Sequence, residues 1–363
     1  MSNLANQPLM TLAVAAFNQE RYVRDAVAGA FAQTYSPLQI ILSDDASKDR
    51  TFVIMQEMAA SYRGPHEVVL NQNPTNAGLA SHSNRIFSLA RGELVVLNAG
   101  DDISLPHRVA SLAAAWEAGG RKSFGVHSRV IDMDHSGRIA GEPPPTKLRA
   151  NTFQFEDGLT AAIQFLREEK PVILGCTAAW HRALFDRFGP LPLDVMYEDM
   201  TLGFRARLLG GMAFVDEPLV LYRLHDANVH HADFHAPATV DFLRAEEKRR
   251  CLGLERRLAA ARSFRADVAT AQAEKMLAAA QLSEVAAAVA AFTRSHELEL
   301  GFRKASWLGR LARYPELKRS GQVQTSATET LAHHLLPRWV YHAIRIVKSR
   351  LREYRSAQRS GSA

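Results

Sequence analysis

Hydrophobic positions in the first 120 residues follow two alternating rhythms. Leu9–Phe17 is a short, nearly continuous apolar run, the pattern of a strand covered on both faces. Glu20–Gln33 then sets Tyr22, Val23, Ala26, Val27, Ala30 and Phe31 at helical spacing on one side. The pair recurs as strand Gln39–Leu42 with helix Arg50–Tyr62, and as strand Glu67–Leu70 with helix Leu79–Arg91. A fourth strand follows at Glu93–Leu97. Such alternation predicts an α/β protein with a mostly parallel sheet and helices on both faces. Ligands of these sheets gather beyond the carboxyl ends of the strands. Ala15–Asn18, Ser43–Ser47, Asn71–Gly78 and Asn98–Asp102 are therefore expected around one crevice.

Further along, Phe124–Met133, Val172–Trp180 and Met212–Tyr222 read as strands, residues 199–209 as a short helix, and Ser136–Pro145 as a proline-blocked loop. After residue 238 the pattern becomes helical. Thr239–Leu300 is rich in Ala, Leu, Arg and Glu and is expected to fold as a helical hairpin. Gly321–Glu329 reads as a polar linker. Leu335–Arg355 places Leu336, Val340, Ile344, Val347, Leu351 and Tyr354 on one face, with Arg345, Lys348, Arg352 and Arg355 elsewhere. The expected plan is a sheet domain over 1–235, a helical region over 236–320, and a linker with a basic amphipathic helix over 321–363.

Charge sharpens that division. The net charge is +6, but residues 1–240 hold 21 basic and 26 acidic side chains, and residues after 300 hold 13 basic and 3 acidic. An acidic front and a basic tail imply separate jobs, the tail facing an anionic partner. The two cysteines, Cys176 and Cys251, lie far apart and fit a reducing compartment better than a disulfide framework. Met1–Pro8 lacks the blocks of a signal peptide, and no apolar run reaches the ~18–20 residues of a membrane span. The expected location is cytoplasmic, peripheral to the inner face of the cell membrane.

Carboxylates carry the candidate chemistry. Asp44-Asp45 and Asp101-Asp102 each follow a strand, and Glu198-Asp199 opens a helix. A single pair is commonly a helix cap or turn. Two pairs ending strands of one sheet share a crevice, where mutual repulsion calls for a cation or ligand donors. Such oxygen-rich sites suit Mg²⁺ or Mn²⁺.

Several segments follow one another in a telling order: Ala15-Ala16-Phe17-Asn18 with Glu20; Gln33-Thr34-Tyr35; Ser43-Asp44-Asp45-Ala46-Ser47-Lys48-Asp49-Arg50-Thr51; Asn76-Ala77-Gly78; and Asn98-Ala99-Gly100-Asp101-Asp102 with Leu105-Pro106. Together they resemble the family 2 glycosyltransferases of the GT-A fold. A looser likeness continues through Gly175–Trp180, Tyr197-Glu198-Asp199 and Tyr222-Arg223-Leu224-His225, so that it covers roughly residues 9–230. The resemblance implies a Rossmann-like sheet, an inverting transfer of a sugar from a UDP-, dTDP- or GDP-linked donor, and a divalent cation. It implies that Ala15, Phe17 and Asn18 wall the nucleoside and that Asp45 reads the base, with Asp44 at the ribose or capping the next helix. It further implies Asp101 near the ribose, Asp102 and His225 on the metal, Asp199 as general base and Glu198 orienting the acceptor. Gly175, Thr177, Trp180 and Arg223 would shape the sugar and acceptor pocket, although Trp180 equally fits a core and Arg223 a salt bridge. Ala16 and Phe17 replace a Thr and a Tyr of the family pattern, and Ala99 replaces the leading Asp of its metal motif. His230, His231 and His235 form a looser cluster nearby.

The implied acceptor is a glycan or lipid-linked hydroxyl in cell-surface polysaccharide synthesis. Three partners suit the helix at 335–355: an anionic membrane surface, another protein or subunit in a homo-oligomer, or solvent alone. Nothing resembles a specific nucleic-acid module. The competing functions are a sugar-nucleotide-binding scaffold of weak catalytic power, favoured by Ala99, and a nucleotidyltransferase, disfavoured because Ala15–Arg21 has no Gly-rich basic loop.

Overall fold

The computed structural model describes residues 7–139, 141, 153–169, 173–225, 239–319, 336–337, 340 and 342–349. Its centre is a nine-stranded sheet in the order β3-β2-β1-β4-β8-β6-β9-β5, with β7 paired to β9. The strands are β1 (Met10–Ala16), β2 (Leu38–Asp44), β3 (Glu67–Gln72), β4 (Leu94–Ala99), β5 (Ile103–Ser104), β6 (Gly125–Asp134), β7 (Phe153–Phe155), β8 (Ala179–His181) and β9 (Met212–Leu224). β3, β2, β1 and β4 are mutually parallel, and β6 pairs parallel with β9. β8, β5 and β7 enter antiparallel. The expected α/β class with a mostly parallel sheet is the observed one.

The period-2 geometry of strands divides the core. Met10, Leu12, Val14 and Ala16 of β1, with Leu38, Ile40 and Leu42 of β2, pack under α1 (Val23–Phe31), α2 (Thr51–Ser61) and α4 (Arg108–Ala118). The intervening Ala13 and Ile41 face α3 (Leu79–Leu89), α6 (Ala183–Phe188) and α7 (Glu198–Leu209) through Ala80, Phe87, Leu184 and Leu202. Both faces of β1 and β2 are covered, which explains their unbroken apolar runs. β3 lies at the edge and carries exposed positions. α5 (Gly158–Glu168) packs beside α7.

One expected strand is much shorter than predicted. Of 172–180 only Ala179 and Trp180 join β8, because the Thr177 N–H and hydroxyl both reach the Leu174 carbonyl at 2.8 Å and close a 3-10 turn over Gly175–Thr177. Residue 172, the three prolines and the 226–235 histidine cluster lie outside the described residues.

The chain forms two compact units, one of Met1–His231 with Arg262–Val289 and the other of Ala232–Ala261 with Ala290–Ala363. In the first, the buried Arg205 of α7 pairs with Asp267 of α8 (Val240–Ala273) at 3.1 Å. In the second, Phe302 of α9 (Ala279–Lys304) packs with Leu317 of α10 (Trp307–Arg319). Residues 342–349 of the expected tail helix are helical.

Candidate active site

The strand order reverses about β1, and the loops after β1, β2 and β4 meet there. The backbone stitches them together: the Asp45 N–H donates to the Ala16 carbonyl and the Gly100 N–H to the Ala15 carbonyl, each at 2.9 Å. Asn18 holds a left-handed φ of 53° while its N–H donates to the Ser47 hydroxyl at 2.8 Å and its side-chain oxygen accepts the Lys48 N–H at 2.9 Å. Phe17 is exposed beside it.

Asp44 and Asp45 are both buried and both well supplied with donors. Asp45 accepts the Asn73 amide at 2.7 Å and the Ala77 and Gly78 N–H groups at 3.0 Å. Gly78, at φ 79°, turns the chain so that its own N–H reaches that carboxylate. Asp44 accepts from the Ser47 N–H at 3.0 Å, the Ser47 hydroxyl and the Gln72 amide at 3.1 Å, which fastens its own loop. Beneath them the His82 ring meets the Ser43 hydroxyl at 2.7 Å, and burial lowers its pKa.

Asp102 is as deeply buried but poorly compensated. Its Oδ1 accepts the Arg223 N–H at 2.9 Å, and the Cys176 thiol also hydrogen-bonds its carboxylate. Desolvation, then the charge of Asp101, push its pKa up to about 7. Burial and the same carboxylate push the Cys176 thiol well above its usual value. Asp101 pairs with the His225 ring at 3.0 Å, and that ring lies on Tyr22 with centroids 4.8 Å apart. Arg223 is buried, with Nε on the Asp101 carbonyl at 2.9 Å and Nη2 on Asp25 at 2.8 Å, so its guanidinium fastens the acidic loop.

The 3-10 turn connects this loop to the remaining acids. Cys176 touches Asp102, while Gly175 donates its N–H to Asp199 and lies so close to Glu198 that a Cβ would strike the Glu198 carboxylate. Asp199 also accepts the Met200 N–H at 2.7 Å. Both acids occupy the first turn of α7, where the helix dipole favours negative charge. Desolvation still raises both, and Asp199 raises Glu198 further. Thr177 is buried and closes the turn.

The structure thus joins Asp45, Asp101, Asp102, His225, Glu198 and Asp199 through adjoining loops. It does not bring Trp180 to them. That indole is fully buried in the core with Leu202 and Met212, which leaves no face for a sugar. Sequence reasoning also missed Arg108. Fully enclosed, it donates to Asn98 Oδ1 at 3.0 Å, Ser104 Oγ at 2.8 Å, the Leu97 carbonyl at 2.8 Å and the Cys176 carbonyl at 2.6 Å, tying the acidic loop to the 3-10 turn. Burial pushes its pKa down to about 10. The available clue was a cation in the first turn of a helix, where the dipole opposes it and local acceptors must compensate.

Among the described residues no three His, Cys, Asp or Glu side chains already form a metal-holding cluster. The donor set of Asp101, Asp102 and His225 nevertheless fits a hard divalent ion, which commonly takes one or two carboxylates and completes its shell with substrate phosphate oxygens.

A doubly covered α/β sheet with an acid-lined crevice at its switch point defines a Rossmann-like protein. Residues 11–189 match the model of glycosyl transferase family 2, and that stretch is similar to the family. An uncharacterized protein of Mycobacterium tuberculosis is 30% identical over 228 residues, 62% of this chain and 61% of the relative, so the match spans under two thirds of that protein. The putative glycosyltransferase EpsE of Bacillus subtilis is 34% identical over 110 residues, 30% of this chain and 39% of EpsE. The crystal structure of S. aureus TarS 1-349 is similar in fold, with a TM-score of 0.54 at 15% identity over 97% of this chain and 91% of TarS 1-349.

Proposed function

We propose that the chain is an inverting glycosyltransferase that moves a sugar from a UDP-, dTDP- or GDP-linked donor to a hydroxyl of a glycan or lipid-linked acceptor. The work belongs to cell-surface polysaccharide synthesis at the inner membrane face. The supporting observation is the continuous path from Asp45 through Ala16, Ala15 and Gly100 to Asp102, and through Cys176 and Gly175 to Asp199.

Ala15, Phe17 and Asn18 wall the nucleoside, Asp45 offers its second oxygen to the base, and Asp101 lies toward the ribose. Asp102 and His225, with Asp101 beside them, would hold a divalent cation, Mn²⁺ or Mg²⁺, which would supply neutralisation of the charge on the departing diphosphate. Glu198 orients the acceptor hydroxyl and Asp199 takes its proton. The acceptor oxygen bonds to the anomeric carbon as the carbon–phosphate-oxygen bond breaks on the opposite face, inverting the configuration. The raised pKa of Asp199 makes it a stronger base than an ordinary carboxylate.

Transfer with Mn²⁺ or Mg²⁺ tests the assignment. Asp199→Asn is expected to lower kcat by roughly 10²–10⁴-fold while donor affinity holds. An unchanged kcat removes Asp199 from the role. The competing reading, a donor-binding scaffold of weak turnover, rests on Ala99 at the place of a family Asp. Nucleotide-sugar binding without transfer across a broad acceptor screen selects it.

A further inference from the structure

Exposed apolar side chains are ordinary when scattered and informative when grouped. In α10, Trp307 is 45% exposed, Leu308 69% and Leu311 37%. At 100° per residue these three and Pro315 fall on one arc, while Arg310 and Leu317 on the other side are buried. The helix therefore turns an apolar stripe outward, the reverse of a helix docked on a core. Lys318 and Arg319 are exposed at its C-terminal end, and Glu316 is its single acid. Residues 342–349 of the same unit repeat the arrangement, with Ile344 36% and Val347 56% exposed beside exposed Lys348.

We propose that the outward face of α10 is a docking surface for an anionic lipid bilayer. An exposed apolar arc with Lys and Arg at its C-terminal end suits a helix that lies in the plane of the headgroups. The charge of the region complements such a surface, since 13 basic and 3 acidic residues follow residue 300. Among the described residues no helix is long and apolar enough to cross a membrane, so the contact is one of lying on the lipid. A second copy is the poorer occupant, because it would bring two strongly cationic surfaces together. The docking stretch is α10 itself, in addition to the amphipathic pattern at 335–355, and it is independent of glycosyl transfer because lipid binding is read without donor or acceptor.

Co-sedimentation of the full chain with vesicles tests it. Phosphatidylcholine–phosphatidylglycerol vesicles should bind the chain, and phosphatidylcholine alone should bind it far less. Leu308→Glu with Leu311→Glu should lower partitioning roughly 10-fold or more, and Lys318→Glu with Arg319→Glu by about 10-fold. All four positions are exposed, so the melting temperature should stay at the wild-type value and certify the fold of each variant. Absence of anionic-vesicle binding, or binding that the Leu308/Leu311 variant keeps in full, overturns the proposal. Self-association abolished by that variant, without lipid binding, would assign the face to a second copy and overturn it equally.

Discussion

Asp44-Asp45 and Asp101-Asp102 end strands on either side of β1, and all but Asp101 are almost wholly enclosed. Their surroundings differ. Asp45 is met by an amide and two backbone N–H groups, and Asp44 by a hydroxyl, an N–H and an amide. Asp102 receives one backbone N–H and a thiol, with a like charge next door. The first loop is a finished polar network, which rigidifies the crevice wall. In the second, desolvation and then the neighbouring Asp101 raise the pKa of Asp102 beyond what Arg223, Cys176 and Arg108 offset, which makes its charge costly to the fold. One dipeptide thus does two kinds of work, decided by donors arriving from distant parts of the chain.

The largest expected effect separates these roles. Asp102→Asn should lower the transfer rate by roughly 10²–10³-fold, and it should raise the melting temperature of the ligand-free protein by removing a desolvated acid. Mn²⁺ with a nucleoside diphosphate should stabilise the wild type by mass action and leave this variant unmoved. Asp45→Asn should do the reverse to stability. Its amide cannot satisfy all three donors, and an unpaired buried group costs about 1–3 kcal/mol, read as a lower urea midpoint. Shifts of the same sign from both substitutions would dissolve the contrast.

Local patterns in the sequence revealed much of this. The alternation of Leu12 and Val14 against Ala13 announces a strand with two covered faces, and the acids at the ends of β2 and β4 could be located from strand boundaries alone. What stayed hidden depends on long-range packing. Trp180 looks alike in sequence whether it lines a pocket or fills a core, and only the arrival of α7 and β9 decides. Arg108 acts through a carbonyl 68 positions away. α10 lies within the helical region expected over 236–320, but that its apolar face points outward is decided by packing and was not legible.

The smallest effect is the most direct measure of stored charge. Asp102 moves from an ordinary 3.8 to about 7 in the folded protein, so across that window the native state holds a proton that the unfolded chain releases. Its stabilising contribution is complete below about 4 and is lost as pH rises through about 7, with a slope of at most about 1.4 kcal/mol per pH unit. Glu198, Asp199 and Asp267 shift in the same direction and add to the trend. Burial lowers the pKa of His82, His127 and His181, which act in the opposite direction below about 6.5, so urea denaturation of the ligand-free protein should show stability falling with pH from about 6.5 to 8. Asp102→Asn should flatten that fall near neutrality, where its titration lies above that of Asp267 at about 6. Asp45→Asn should lower the urea midpoint by removing an acceptor of three buried donors. Should the Asp102 variant keep the wild-type slope, the uncompensated charge lies elsewhere, and the two acidic loops are alike after all.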